Sequence, residues 1–175
     1  MVKDAKRSPA GQSRRRPDLA MSDQARVMAL LAEAKRLAAE YYSVTGKPLG
    51  VTGEVAEYEA ARILKLELTS ARQAGYDALE HVDGSPKRLQ IKGRCLQDDC
   101  KPGQRLGSIR LTHDWDAVLM VILDQTFEAL EIYEAQRPDV IAALQLPGSK
   151  ARNERGALSV SKFRAIGKLR WRRAG

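Results

Sequence analysis

The chain has 175 residues, 43% hydrophobic and 30% charged, enough for one ordinary core and seldom for two. No apolar run approaches the ~20 residues a membrane-spanning helix needs, and the basic N-terminus is not followed by the apolar core of a secretory signal, so a cytoplasmic protein without membrane insertion is expected. The net charge of +8 is unevenly placed: residues 1–20 carry six Lys/Arg against two Asp and residues 150–175 nine against Glu154, whereas the stretch between them has nineteen acidic and fifteen basic residues. An acidic body with basic ends suggests phosphate contacts beside an acidic site, with solubilising tails as the plainer alternative.

Residues 1–20 include Arg14-Arg15-Arg16, Pro9 and Pro17 and almost nothing apolar, which predicts a disordered basic tail. From Ser22, a plausible N-cap, the spacing of Val27, Leu30, Leu31, Ala34, Leu37, Ala38 and Tyr41 predicts an amphipathic helix that Gly46 and Pro48 end. A second helix is expected over 52–64. The next apolar runs are short and extended: 77–82, a turn at Asp83-Gly84-Ser85-Pro86, then 88–95, the pattern of a hairpin. Residues 97–108, with Asp98, Asp99, Pro102, Gly103 and Gly107, are expected to be a polar loop. The wholly apolar run 117–123 predicts a strand buried on both faces, with 127–135 as its partner across a turn at Asp124-Gln125. Pro138 opens a short helix through Leu144, Pro147-Gly148 breaks it, and Ser159 or Ser161 starts a last basic helical segment to Trp171.

Chemistry concentrates around the hairpin. Gln90 and Lys92 are two apart on one strand and share a face, and pairing can bring Asp77 beside them. Glu54 and Glu57 share a side of the second helix, and a helix packed on the sheet could aim one at the same point; Glu57 is read as the solvated one. An oxygen-rich cluster with a lysine suits a hard divalent cation beside a group that can orient water or steady a phosphate. Cys95 and Cys100 with His113, Asp98 and Asp99 lack a second ligand pair for zinc and are read as reduced thiols at a loop. His113, Asp114 and Asp116 around Trp115 are read as anchors of the following strand. In the last segment, Phe163 and Trp171 interleave with basic residues, so the aromatics either stack on exposed bases or pack down while the charges are solvated.

The residues Gly53-Glu54 on a helix, then Gly75-Tyr76-Asp77, then Leu89-Gln90-Ile91-Lys92-Gly93-Arg94 resemble the PD-(D/E)XK nucleases, and within them the Holliday-junction-resolvase-like branches, over about residues 50–135. The resemblance implies a restriction-endonuclease-like α/β fold, a mixed sheet of about four strands flanked by helices, over 21–160, with 161–175 as a basic C-terminal segment. It implies Mg²⁺ or Mn²⁺ held by Glu54, Asp77 and Gln90, with Lys92 serving the attacking water, in an endonuclease that hydrolyses phosphodiester bonds in DNA and in many members acts as a homodimer. Arg94, Lys162, Arg164, Lys168, Arg170, Arg172 and Arg173 would then hold the nucleic-acid backbone. Gln90 stands where the family usually has an acid, so its amide oxygen brings no negative charge and the metal site is weakened. The alternative is a non-catalytic nucleic-acid-binding or assembly module on the same fold.

Overall fold

The computed structural model describes residues 17–46, 49–69, 75–82, 84–96, 103–146 and 155–174. Helices α1 (Pro17–Thr45) and α2 (Thr52–Leu64) come first, followed by strands β1 (Glu67–Leu68), β2 (Ala78–Val82), β3 (Ser85–Cys95), β4 (Ala117–Leu123) and β5 (Ala129–Gln136), helices α3 (Arg137–Gln145) and α4 (Val160–Ile166), and strand β6 (Lys168–Arg172). The six strands lie in sequence order in one mixed sheet. Pairing is antiparallel except between β3 and β4, which run parallel. No helix among the described residues is long and apolar enough to cross a membrane.

All seven residues of β4 are buried, and their alternation builds two cores. Ala117, Leu119, Val121 and Leu123 join Val55, Ala56 and Ala60 of α2. Val118, Met120 and Ile122 join Val140, Ala143 and Leu144 of α3 and Phe163 of α4. The central strand is therefore apolar without interruption because helices cover both its faces. The β3–β4 crossover lies over the second core: Leu106 and Ile109 pack into it, and Leu106 N–H and Ile109 N–H donate to Leu158 and Gly156 carbonyls.

Helix α2 sits unusually close to β3. A Cβ on Gly93 would lie 2.5 Å from Ala56 Cβ and 2.6 Å from the Thr52 carbonyl oxygen. Only a residue with no side chain lets the first turns of the helix rest on the strand.

Several sequence-based expectations need correction. The sheet has six strands rather than about four, because Glu67–Leu68 adds a short edge strand and because 168–172, expected to continue a helix, pairs with β5. Gly167 ends α4, and alternation at Trp171, which packs on the first core, suits a strand. The segment expected as a basic tail is thus part of the sheet. Helix α1 starts at Pro17 rather than near Ser22, so the last residues of the expected disordered tail are helical; the rest of that tail lies outside the described residues. Asp83, residues 97–102 with Cys100, and the expected break at Pro147-Gly148 also lie outside them.

Gly93→Ala should destabilise the protein by about 1–3 kcal/mol through overpacking. In a chain of this size that is a fall in Tm of roughly 2–12 °C. Gly107→Ala, where an added Cβ meets nothing within 4 Å, should melt close to the parent and serves as the control. Calorimetric melting of the three proteins checks this.

Candidate functional site

The site begins where β2 stops. Its pairing with β3 runs from Val82↔Ser85 to Ala78↔Leu89, whereas β3 continues to Cys95 with β4 on its other side. Past Leu89, β3 has no strand partner on its β2 side among the described residues, which leaves a notch in the pairing. Asp77 fills its mouth: its N–H donates to Leu89 O (2.8 Å), and its carboxylate accepts from Ile91 N–H (2.6 Å). An edge N–H that would have lost its strand partner is satisfied by an acid held in the plane of the sheet.

Alternation along β3 then assigns the faces. Leu89 and Ile91 belong to the core under α2, and Gly93 faces Ala56 and Thr52. Gln90, Lys92 and Arg94 therefore project to the opposite face, on the side of Val118 and Met120, their register partners being Val118 for Gln90 and Met120 for Lys92. The expectation that Gln90 and Lys92 share a face agrees with this register.

Gln90 is buried, with 6% of its surface exposed. Its Nε2 donates to Gly75 O at 3.4 Å, while its Oε1 is buried with no hydrogen-bond partner. Such an orphaned acceptor is costly, about 1–3 kcal/mol, unless a donor or cation joins it. Gly75 itself has φ +111°, which side-chain-bearing residues rarely adopt, and a Cβ there would press on Asp114 backbone at 3.1 Å. The carbonyl that receives Gln90 is thus set by a glycine-only turn. Lys92 is partly buried and has no ion pair or side-chain hydrogen bond among the described residues.

From the other face, α2 contributes its acids. Glu54 is exposed in the first turn. Glu57, read from sequence as a solvated face residue, is partly buried instead. Its carboxyl is pushed up to about 7, first by burial, then by the negative charges of Asp77 and Glu54, against a smaller opposing pull from Lys92. Glu57 follows Ala56, which rests on Gly93, and stands within reach of the Asp77 charge. The sequence signal that finds it is the glycine in β3, whose meaning depends on which helix lies over it.

Glu57 thus feels the charges of Asp77, Glu54 and Lys92, and Gln90 lies two residues before Lys92 on β3. Among the described residues no group of three His, Cys, Asp or Glu side chains stands close enough to hold an ion by itself. The oxygens at the notch are two carboxylates, an exposed third and an amide.

The proposed phosphate-holding residues are mostly occupied. Lys162 Nζ donates to Ala143 O, Arg164 and Arg172 both pair with Glu131, and Arg173 pairs with Asp124. Arg170 bridges Glu80 and Glu134, and Arg94 donates to Gln104 Oε1 (2.9 Å). Lys168 is exposed and has no such partner among the described residues. Phe163 is fully buried in the second core and Trp171 is partly buried on the first, so packing rather than base stacking explains both.

Other sequence readings are placed as well. Asp116 accepts from Arg88 N–H, Nε and Nη2, which hold its carboxyl below the ordinary range, and Asp114 also pairs with Arg88. Arg137 lies 4.5 Å over the Trp115 ring and donates to the Leu111, His113 and Trp115 carbonyls. These residues anchor the entrance to β4, as expected. Cys95 Sγ donates to Asp124 O. No protein-family model and no curated protein matches the chain.

Glu57 should titrate near 7 by carboxyl-carbon NMR, and Asp77→Asn should bring that value down toward 4.5. The raised value means the folded state prefers the protonated acid, so the contribution to stability is full below about 4.5 and is lost as pH rises through about 7. The Tm of the parent should accordingly fall relative to that of Glu57→Gln across this window.

Proposed function

We propose that the notch is the active site of a metal-dependent endonuclease that hydrolyses phosphodiester bonds in DNA, on a fold of the restriction-endonuclease-like kind. The observation that carries this reading is the buried Gln90 Oε1, without a hydrogen-bond partner among the described residues, on the strand next to which the Glu57 carboxyl is raised, first by burial and then by the charges of Asp77 and Glu54. Repelling carboxylates and an orphaned amide oxygen call for a cation. All the donors are oxygens, which suits Mg²⁺ or Mn²⁺, and Mg²⁺ commonly takes one or two carboxylates together with substrate phosphate oxygens rather than a full protein cage.

Glu57 and Asp77 would hold the ion, with Glu54 at the solvent side and Gln90, whose side chain lies on the opposite face of β3, acting through water. This shifts the main helix ligand from Glu54 to Glu57. A bound divalent ion supplies Lewis-acid polarisation of the phosphoryl oxygen. The remaining work falls to the chain. Asp77, already fixed by Ile91 N–H, has only limited freedom, so a ligand there is held in place in advance. The Lys92 ammonium, without an ion pair or hydrogen bond among the described residues, can donate to the attacking water or to a phosphate oxygen as negative charge builds up. In the overall hydrolysis water delivers hydroxide to phosphorus, the P–O ester bond breaks, and the leaving oxygen takes up a proton.

Incubation of supercoiled, linear, branched and single-stranded DNA with Mg²⁺, Mn²⁺ or EDTA tests the activity. Cleavage is expected with metal only; Lys92→Ala should lower it by about 10²–10⁴-fold while melting near the parent, and Asp77→Ala should lower it as far and also melt below the parent, because Ile91 N–H loses its acceptor. Gln90→Glu should bind Mn²⁺ more tightly in calorimetric titration, and Mg²⁺ should lower the pH at which Glu57 titrates. DNA binding without cleavage in any metal would establish the assembly-module reading. Absence of both cation binding and cleavage would remove the site altogether.

A further inference from the structure

Helix α1 touches the rest of the protein along one narrow strip. Ala38 is fully buried in the first core, and Lys35 reaches the buried Glu59 of α2 (3.1 Å) and Glu128. The apolar stripe that made the segment read as an amphipathic helix lies mainly beside that strip, not under it. Val27 is 47% exposed, Leu30 54%, Leu37 60%, Tyr41 40% and Val44 80%. For five large apolar residues on one helix this is too consistent to be scattered surface.

Their spacing supplies a partner. With Ala34, which is partly buried, the stripe runs 27, 30, 34, 37, 41, 44, steps of three and four in strict alternation. That is a 3.5-residue period, the seam of a coiled coil, and it differs from the broader stripe by which a helix lies on its own domain. Val27, Ala34 and Tyr41 take the a positions, and Leu30, Leu37 and Val44 the d positions. A β-branched residue at the first a position and leucines at two d positions favour two parallel strands.

The flanks decide the orientation. Leu31 and Ala38, at the e positions, lie on the side that packs on the body, whereas the g positions hold Arg26, Glu33 and Glu40. An antiparallel partner would set Glu33 against Glu40 of the other copy and place both bodies on the same side of the helix pair. A parallel partner sets each g flank against the other copy's e flank, where no like charges meet, and puts the bodies on opposite sides. Five half-exposed apolar side chains from each of two copies bring roughly 1,000 Å² to the contact, the lower bound for a specific interface.

We propose that α1 pairs with α1 of a second copy of this chain as a parallel, in-register coiled coil whose seam is Val27, Leu30, Ala34, Leu37, Tyr41 and Val44. This surface is separate from the notch, and it stands or falls independently of the nuclease reading.

Sedimentation of the full chain across the micromolar range should show a mass twice the 19.4 kDa of one copy. Leu37→Glu removes a leucine from each side of a central layer, so dimerisation should weaken a hundredfold or more. Since Leu37 is mostly exposed in the single copy, the variant should keep its far-ultraviolet circular dichroism; Leu30→Glu repeats the test at a second layer. Ala29→Glu, on the opposite exposed side, should leave the dimer intact. In a Cys95→Ser/Cys100→Ser chain, Leu37→Cys should form a disulfide with itself on oxidation and Ala29→Cys should not. A monomer at every concentration, or a dimer indifferent to both glutamate substitutions, overturns the proposal. Cross-linking only in a mixture of Ala34→Cys with Leu37→Cys overturns the parallel orientation.

Discussion

The contact between the first turns of α2 and Gly93 governs the arrangement of the notch. Because no side chain separates strand from helix, Ala56 and the Thr52 carbonyl rest on β3 backbone, and Glu57 stands within reach of the Asp77 charge, just before β2 begins. The cost of bringing a carboxyl into that partly dry position near Asp77 and Glu54 appears in its raised pKa. Packing on one face therefore creates the electrostatic tension at the edge. Gly75, two residues before Asp77, applies the same logic from the other side, since its left-handed backbone aims a carbonyl at the Gln90 amide and leaves Gln90 Oε1 without a donor.

A second constraint is the pairing of the acidic body with its basic end. Glu80 of β2 and Arg170 of β6 meet at 2.6 Å although three strands separate β2 from β6 in the sheet. Lys87 and Arg170 converge on the buried Glu134; burial alone would push its carboxyl up, and the two cations hold it below the ordinary range. For strands so distant to touch, the sheet must coil strongly, as twisted sheets do. Among the described residues the arginines of the C-terminal segment are thus paired within the fold. Lys168 has no ion pair among the described residues, and Lys92 has only the charge interaction with Glu57.

The buried Lys35–Glu59 pair has a comparable role for α1. Glu59 is almost wholly enclosed and receives Lys35, Arg62 and the Ala129 N–H, so a long helix with few apolar contacts to the body is still fixed in rotation. Removing one partner of such a pair commonly costs about 3–5 kcal/mol because the other charge is left buried. Fixing the rotation of α1 leaves its heptad seam facing outward.

Local patterns in the sequence determined the elements that rest on local physics. The run 117–123 could only be a doubly buried strand, 52–64 carried helical spacing, and the strand period placed Gln90 and Lys92 on one face. The same period named Asp77 and Lys92 as chemistry-bearing positions within an otherwise apolar hairpin. Only the tertiary structure showed that Glu57 is partly buried while Glu54 is exposed, since helical periodicity treats residues three apart as equivalents until a neighbour such as Gly93 gives the helix a seat. It likewise decided that 168–172 is a strand, where five residues with basic alternation fit either state until β5 offers an edge, and that Arg164, Arg170, Arg172 and Arg173 are paired, because their acids lie 33 to 90 positions away along the chain. Periodicity and propensity act over a few residues, whereas burial and ion pairing depend on which distant segments the fold brings together.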